Sequence, residues 1–288
     1  MNKSTAEIVT WLYVPADQPA RVEKALAAAT DAVIIDLEDA VAADRKPHAR
    51  DELRVVLAAP RPKSGPSIWV RVNADSTEDD LAAAHHPAVD GICLPKVSGP
   101  EEVVALERQL EALDERSGRS RPTLIMPLIE TAPGVANATS IASSARVALL
   151  QLGEQDLRVS LRLPPSLAGA AGTPAPLWVA RSQVVLASAV AQIDPPIAPV
   201  STTIHDASLL QTETRELRAG GFGSRAVVHP AQLEPVSVGF TPSDEEVAWA
   251  EEIVAAGISG VSAVGGRMVD APVLAQAQHL LRVSARLR

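Results

Sequence analysis

The chain contains eight short apolar runs, and most of them are separated by stretches in which apolar residues recur with helical spacing. The runs cover residues 8–14, 32–36, 67–72, 91–95, 123–129, 147–152, 197–203 and 226–228. The helical stretches include residues 21–29, 101–113 and 177–191. Strands that alternate with helices indicate parallel pairing through crossover connections. Eight such units within about 250 residues predict a closed α/β barrel, the (β/α)8 TIM barrel, rather than an open doubly wound sheet.

The segments outside these units predict an extension and two loops. Residues 243–255 and 271–287 predict two further helices, the second with apolar residues at positions 273, 274, 277, 280 and 281. We therefore divide the chain into a barrel catalytic domain, 1–240, and a C-terminal helical extension, 241–288, which must pack on the barrel or on a neighbouring subunit. Residues 164–176, rich in Pro, Gly and Ala, predict either a mobile lid or a plain surface loop. Residues 220–223 predict a helix stop and a turn rather than a phosphate cradle.

Composition excludes several classes of partner and compartment. A net charge of −9 and a pI near 5.2 argue against nucleic acid or an anionic membrane as the main partner. Hydrophobic residues make up 47% of the chain and aromatic residues 2%, which predicts a core of Ala, Val, Leu and Ile. The chain has a single cysteine, Cys93, so it cannot form an internal disulfide, which is typical of a protein in a reducing compartment. Cys93 lies in an apolar run, and we expect its small side chain to be buried. We find no apolar segment of signal-peptide or membrane-spanning length and expect a cytoplasmic, soluble protein.

Polar residues follow the carboxyl ends of most predicted strands. They are Asp36, Glu38 and Asp39 after the second strand, Arg71 and Asn73 after the third, Lys96 after the fourth, Glu130 after the fifth, Glu154 and Asp156 after the sixth, and His229 and Gln232 after the eighth. Carboxylates that directly follow a buried apolar run lose hydration unless a cation, a donor or a wet cleft replaces it. Because the carboxyl ends of barrel strands converge on one face, these residues predict an active site there.

The residue types at these ends favour chemistry with a hard cation. Glu130 and Asp156 follow adjacent strands, and Mg²⁺ typically takes one or two carboxylates together with water and substrate oxygens. Zinc-type spacing of His and Cys is absent, and the adjacent His85 and His86 are unsuited to share a metal. Arg71 would either neutralise the carboxylates or bind a substrate carboxylate or oxyanion. We expect Lys96 to form a salt bridge with the acidic cluster rather than to act as a catalytic amine.

A set of ordered motifs resembles the HpcH/HpaI aldolase/citrate lyase superfamily, in its citrate lyase β-subunit-like branch. The motifs are Leu12-Tyr13-Val14-Pro15, Asp36-Leu37-Glu38-Asp39-Ala40-Val41, Lys46 with Ala49-Arg50, Arg71-Val72-Asn73, Leu94-Pro95-Lys96, Ile129-Glu130-Thr131, Gly153 with Asp156-Leu157, Gly221-Phe222-Gly223, His229-Pro230 with Gln232, and Met268-Val269-Asp270-Ala271-Pro272. Together they span most of the chain.

The resemblance implies a TIM barrel, usually a homotrimer or a hexamer of trimers, that uses Mg²⁺ to cleave or form a carbon–carbon bond in citryl-, malyl- or citramalyl-CoA. It makes Glu130 and Asp156 the metal ligands, Glu38 and Asp39 the residues that hold metal-bound water and balance charge, and Arg71 the residue that stabilises an enolate. Asp270 would transfer a proton in the site of a neighbouring subunit, or cap a helix, or both. Substrate binding falls to Arg71, Lys96, Gly153, Glu154 and Gln155, and cofactor binding to Tyr13, Pro15 and Lys46.

The chain departs from this branch at two basic positions. Val9 and Gln18 stand where the branch usually has Arg, near the presumed mouth of the barrel. Loss of two cations would weaken binding of a polyphosphate carrier such as CoA. Two alternatives therefore stay open: a CoA-independent class II aldolase that acts on pyruvate-derived keto acids, and a non-catalytic subunit of a larger lyase assembly.

Overall fold

Eight parallel strands close into a barrel, which confirms the predicted fold class. The computed structural model describes residues 4–60, 64–164, 173–258, 263–265 and 267–287. Each strand pairs with the next along the chain, and the eighth pairs with the first. The strands are β1 Thr10–Pro15, β2 Ala32–Asp36, β3 Ser67–Arg71, β4 Gly91–Leu94, β5 Leu124–Ile129, β6 Gln151–Leu152, β7 Ile197–Ala198 and β8 Ser224–Val227.

Helices surround the barrel and form the tail. They are α1 Pro19–Leu26, α2 Lys46–Ala58, α3 Thr77–Ala84, α4 Pro100–Ser117, α5 Ala132–Ala136, α6 Ala138–Ala142, α7 Glu154–Ser160, α8 Ala175–Ala191, α9 Ala207–Ala219, α10 Leu233–Phe240, α11 Asp244–Ile258 and α12 Ala271–Leu287. Short 3₁₀ turns cover Thr5–Glu7, Ala43–Arg45 and Pro230–Gln232, and β9 (Ala263–Val264) pairs antiparallel with β10 (Arg267–Met268).

Two of the observed strands, the sixth and the seventh, are much shorter than the apolar runs that predicted them. The seventh, predicted over 197–203, ends at Ala198, because Pro199 has no N–H to continue the ladder. In the sixth, predicted over 147–152, regular pairing is confined to Gln151–Leu152, and Val147 makes only an isolated bridge to Ile125. The loop predicted over 164–176 lies largely outside the described residues, since 165–172 are not among them.

The barrel interior and the helix–barrel layer form two separate apolar clusters. Alternate residues of each strand point inward or outward, so one strand supplies both clusters. The inner cluster contains Trp11, Ile34, Trp69, Met126 and Leu128, among others. The prediction of a purely aliphatic core was wrong here, because two of the chain's four tryptophans fill the interior, edge to face at 5.5 Å between ring centroids. A Cβ at Gly91 would lie 2.3 Å from the Trp69 ring, so only glycine fits beside it.

The inward-facing rows change from apolar to polar toward the carboxyl end of the barrel. In β2 the row passes from Ile34 to Asp36, in β3 from Trp69 to Arg71, and in β5 from Leu128 to Glu130. Cys93, in the β4 row, is fully buried and free, as predicted. The apolar floor of tryptophans therefore supports a polar layer at the face where sites of such barrels are built.

The amino end of the barrel carries structural polar contacts and includes Val9. The Val9 N–H donates to Asp31 Oδ2 (3.0 Å), and its carbonyl accepts from Arg225 N (2.9 Å), one residue before β1 begins. The prediction that Val9 lies near the mouth was wrong, because a residue at this end of β1 is on the face opposite the site. Gly221, with φ of +98° just after α9, ends that helix and turns the chain into β8 on the same face, as predicted.

The tail packs mainly on itself. The predicted apolar positions of α12, which are Val273, Leu274, Ala277, Leu280 and Leu281, form a separate cluster with Trp249, Ala250, Ile253 and Val254 of α11. Within one chain the first partner of this stripe is the preceding helix, and the expectation that the extension packs on the barrel or on a neighbouring subunit stays a prediction. Arg286 donates to the Ala6 carbonyl, and a cavity of about 1030 Å³ separates α12 from the amino end of the barrel. Among the described residues, no helix is long and apolar enough to cross a bilayer.

Candidate active site

A cavity of about 310 Å³ opens at the carboxyl ends of the strands, close to the lower limit for small-molecule sites. Its walls combine apolar residues with a polar layer drawn from β1, β2, β3, β5 and β6. The lining residues are Tyr13, Val14, Pro15, Arg21, Asp36, Ala40, Arg71, Leu128, Glu130, Gln151, Leu152, Gly153, Glu154, Gln155, Asp156, Val200 and Val228.

Arg71 is held by two carboxylates of the β2 loop. Its Nε and Nη2 donate to the two oxygens of Asp36, at 2.7 and 2.5 Å, in a bidentate pair. Its Nη1 lies 2.9 Å from Glu38 Oε2, and its guanidinium stands over the Tyr13 ring at 5.2 Å. Burial alone lowers the pKa of Arg71, but the bonds and charge of Asp36 outweigh it, so the group stays a fixed cation. The neutralising role predicted for Arg71 is thus present, and the guanidinium still faces the cavity.

Lys96 bridges the acidic loop, as the sequence predicts. Its Nζ donates to Glu38 Oε1 at 2.5 Å and to both oxygens of the exposed Asp39 at 3.3 Å. The backbone of Lys96 has a φ of +56°, an unusual conformation for a non-glycine residue, and it directs the Lys96 N–H to Glu130 Oε1 at 2.8 Å. Burial raises the pKa of Glu38, against the lowering effect of Arg71 and Lys96. One residue thus ties the β2 loop to Glu130 across the mouth.

Glu130 and Asp156 face the same cavity, Glu130 just after β5 and Asp156 in the first turn of α7. Burial, with the charge of Asp156, raises the pKa of Glu130 to about 8, against the lowering effect of the Lys96 N–H. The chain approaches Glu130 through Gly153: a Cβ there would lie 2.5 Å from Glu130 Oε2. These two carboxylates therefore share a crowded, electronegative corner.

The donor set of this corner fits a hard divalent cation. Across the described ranges, no three His, Cys, Asp or Glu side chains are grouped to hold a metal, so the site offers the two carboxylates alone. Mg²⁺ commonly binds one or two carboxylates and completes its octahedron with water and substrate oxygens. A cation would also relieve the repulsion and burial that keep Glu130 protonated near neutral pH. Glu130 and Asp156 are thus suited to Mg²⁺.

Other predicted residues have contacts that limit what they can do. The Glu154 carboxylate accepts two bonds from Arg181, at 2.6 and 3.0 Å, so it is already neutralised at the cavity wall. Gln155 lies beside it and is exposed. Lys46 donates to Asn73 Oδ1 and lies outside the cavity lining, whereas Tyr13 and Pro15 belong to it.

Asp270 caps the helix that it precedes. Its Oδ1 accepts from the Val273 N–H at 3.1 Å in the first turn of α12. The carboxylate is exposed and lies outside the cavity lining of its own chain. The far end of α12 touches the amino end of the barrel through Arg286 and Ala6, opposite the cavity. The capping role is confirmed, and within one chain Asp270 does not join the site.

Two cavity residues were missed by the analysis of the sequence. Gln151 lies in β6, two residues after the inward-facing Leu149. Because inward-facing and outward-facing residues alternate along a strand, this spacing could have predicted that Gln151 points into the barrel. Arg21 lies in the first turn of α1, exposed at the cavity rim, and no described residue pairs with its guanidinium. Pro19 starts the helix that follows β1, so the position of Arg21 two residues later could have predicted that it lies at the carboxyl face of the barrel.

Comparisons with known proteins identify the family. The family model described as HpcH/HpaI aldolase/citrate lyase matches residues 10–230. The chain is 35% identical over 278 residues to a citrate lyase subunit beta-like protein of Mycobacterium tuberculosis, covering 94% of both chains. It is 33% identical over 271 residues to a (3S)-malyl-CoA thioesterase of Cereibacter sphaeroides, covering 90% of this chain and 88% of the relative.

A solved structure shows the same architecture over nearly the whole chain. The CitE protein of Mycobacterium tuberculosis, in complex with magnesium, acetoacetate and coenzyme A, superposes with a TM-score of 0.82 at 33% identity, covering 97% of this chain and 99% of that one. With the family model matching most of the barrel, the chain belongs to the HpcH/HpaI aldolase/citrate lyase family.

Proposed function

We propose that the protein is a Mg²⁺-dependent carbon–carbon lyase that acts on a 3-hydroxyacyl-CoA thioester of the citryl, malyl or citramalyl type. The observation that carries the proposal is the convergence of Glu130, Asp156 and Arg71 on one cavity. A 33% identical protein of the same fold was solved with magnesium, a keto acid and coenzyme A, which supports the same ligand classes here.

The residues of the chain divide the chemical work between them. Glu130 and Asp156 would hold the Mg²⁺, which would supply Lewis-acid charge that favours ionisation of the substrate hydroxyl. Loss of the hydroxyl proton to water, with cleavage of the carbon–carbon bond, then yields a keto acid and a thioester enolate. Arg71, fixed by Asp36, presents a desolvated cation to the enolate oxygen without having to reorganise. Glu38 and Asp39, bridged by Lys96, balance the charge of the mouth and would orient water that enters it.

The acid that protonates the enolate is proposed to be Asp270 of a neighbouring subunit. Within one chain this carboxylate is exposed and lies outside the cavity, while the tail that carries it has its own apolar cluster. Such a tail can reach a neighbour without dismantling the barrel core. A homotrimer, alone or paired into a hexamer, would place each tail at an adjacent site. With one buried cysteine and an acidic surface, the cytoplasm is the proposed compartment.

Coenzyme A is proposed to lie mostly outside the cavity, since about 310 Å³ holds the acyl group but not the nucleotide. The absence of Arg at position 9 no longer counts against the carrier, because Val9 is at the opposite end of the barrel. Arg21 at the rim supplies a cation three residues after Gln18. Tyr13 and Pro15 line the cavity on the same side. Lys46 would bind coenzyme A only if its side chain broke the hydrogen bond to Asn73.

The decisive experiment follows both halves of the substrate. Purified protein with Mg²⁺ is given malyl-, citramalyl- and citryl-CoA, and thioesters, keto acids and free thiol are quantified together. Lysis of the carbon–carbon bond releases a keto acid and a shorter acyl-CoA without free thiol. Hydrolysis, the reaction named for the Cereibacter sphaeroides relative, releases free CoA thiol and the hydroxy acid instead. Intact thioesters beside an active control lyase would overturn the proposal, and pyruvate release from a 4-hydroxy-2-keto acid would then favour the aldolase.

A further inference from the structure

Two of the cations at the cavity and its mouth are already engaged by carboxylates of the protein. Arg71 is occupied by Asp36 and Glu38, and Lys96, at the mouth, by Glu38 and Asp39. An anionic substrate that enters must compete with these acids or find a donor that they do not hold. Among the described residues of the lining, three side chains meet that condition: Arg21 and Gln155, which are exposed at the rim, and Gln151, which is buried.

Gln151 is a buried amide with a donor to spare. The residue is 3% exposed, in the inward row of β6, and its Oε1 accepts from Tyr13 Oη at 2.9 Å. Within the described part of the chain, nothing accepts a hydrogen bond from its Nε2. Gln151 lines the cavity, so this free NH₂ group can donate to an acceptor atom of a ligand that enters it.

Tyr13 fixes the direction in which this amide points. The Tyr13 hydroxyl donates to Gln151 Oε1 at 2.9 Å, and burial raises the pKa of Tyr13 well above its ordinary value. With Oε1 held, Nε2 is the end of the amide left for a ligand. The ring of Tyr13 also packs under Arg71, at 5.2 Å, so one side chain supports both the charged and the neutral donor.

A neutral donor has an advantage in this cavity. A Lys or Arg at position 151 would share the cavity with Asp36 and Glu130 and would be neutralised by these acids, just as Asp36 and Glu38 neutralise Arg71. An amide carries no net charge, so the surrounding acids do not consume it, and its N–H groups stay available to a carboxylate oxygen. A site whose donors are matched to one substrate group also strongly rejects analogues that lack that group.

We propose that Gln151 Nε2 binds the carboxylate of the 2-oxo acid half of the substrate, and that Tyr13 is the positioning residue that aims it. This rests on the proposed function, because it assigns one of the groups that a 3-hydroxyacyl thioester brings to the cavity. The pair selects acyl groups that bear a carboxylate on the carbon of the hydroxyl, and it excludes 3-hydroxyacyl chains that lack it.

The test measures binding of a product fragment rather than turnover alone. Pyruvate and glyoxylate are titrated by calorimetry into Mg²⁺-saturated protein and into the variants Gln151→Leu and Tyr13→Phe. The matched control is Gln183→Leu, a half-buried glutamine of α8 outside the cavity lining. The dissociation constant of the oxo acid should rise about 10- to 100-fold in Gln151→Leu, the loss expected for a hydrogen bond to a charged group. In Tyr13→Phe the rise should be smaller, and Gln151→Asn should recover part of the affinity. Mg²⁺ affinity and melting temperature should stay near wild type in both.

The outcomes separate this inference from the proposed function. If wild-type protein binds the oxo acid and cleaves a thioester while Gln151→Leu binds the oxo acid equally well, the assignment of Gln151 is wrong and the lyase stands. If wild-type protein neither binds an oxo acid nor cleaves any thioester of the panel, the proposed function itself fails. A fall in Mg²⁺ affinity or melting temperature that matches the loss of oxo-acid binding would show a structural role for Gln151 and would overturn the inference.

Discussion

Gly153 and Glu130 are packed so closely that residue 153 has no room for a side chain. A Cβ at Gly153 would lie 2.5 Å from Glu130 Oε2 and 2.8 Å from Glu130 Cβ, distances that real Cβ contacts do not reach. Gly153 also donates its N–H to the Ile129 carbonyl at 3.0 Å, directly before α7 and Asp156. The glycine therefore lets two chain segments bring their carboxylates to one corner.

The first prediction is that Gly153→Ala displaces the Glu130 carboxylate and weakens Mg²⁺ binding about tenfold or more, the scale seen when groups that orient metal ligands are removed. Calorimetric titration with Mg²⁺ measures the effect. Gly118→Ala is the control: Gly118 ends α4 with a φ of +65° and has open space around its Cβ. It should cost about 1 kcal/mol of stability and leave the metal affinity intact. Equal metal affinity in both variants would contradict the crowding argument.

The second prediction concerns the pH dependence of metal binding. Because the pKa of Glu130 is raised to about 8, the metal-free carboxyl is protonated below that pH and must lose its proton to bind a cation. The apparent Mg²⁺ affinity should therefore rise about tenfold per pH unit between pH 6 and 8 and level off above. Titrations in buffers of different ionisation enthalpy should detect the released proton. A flat profile, or the same slope in Glu130→Gln, would contradict it.

The third prediction tests the geometry of the enolate-stabilising cation. Arg71→Lys keeps the charge but loses the two parallel bonds to Asp36, since an ammonium cannot match both oxygens. We expect kcat to fall about 100-fold or more, the range for loss of a preorganised oxyanion donor, with Mg²⁺ affinity largely preserved. Arg218→Lys disrupts a similar two-bond pair, with Glu246, far from the cavity, and should leave kcat unchanged. Comparable rates in the two variants would remove Arg71 from the mechanism.

The fourth prediction tests whether Asp270 acts in a neighbouring subunit. Asp270→Asn preserves the helix cap, because Asn caps as well as Asp, but it removes the acid. Alone it should lose turnover at unchanged Mg²⁺ affinity, and Asp156→Ala alone should lose metal binding. Mixed oligomers made by refolding the two variants together should regain activity, since an intact cavity can then meet an intact Asp270. No recovery in verified mixed oligomers would place the acid elsewhere.

Much of the fold was open to prediction from the sequence, because its signals are local. The apolar run over 32–36 is β2 to the residue, and the tail helix predicted over 271–287 is α12. Carboxylates placed directly after apolar runs predicted the face on which the cavity lies, since the carboxyl ends of parallel barrel strands converge by topology alone. Glu130, Asp156 and Arg71 do line one cavity there.

Contacts between distant parts of the chain required the tertiary structure. Lys96 Nζ and Glu38 are 58 residues apart, and they meet because β2 and β4 both pair with β3. Glu154 is neutralised by Arg181, which belongs to the later helix α8. Gln151 was missed because a lone polar residue in an apolar strand has no distinctive neighbour in sequence. Its inward direction and its Tyr13 partner exist only once β1 and β6 face each other across the barrel.

The sequence by itself determined which elements form and which face carries the candidate site, because hydrophobic periodicity and strand direction are local properties of the chain. The tertiary structure alone decided which carboxylates are neutralised, which donor is left for a ligand, and that the tail packs on α11 while Asp270 lies away from its own cavity. Those outcomes depend on distances between residues far apart in the chain, and burial and charge act through such distances.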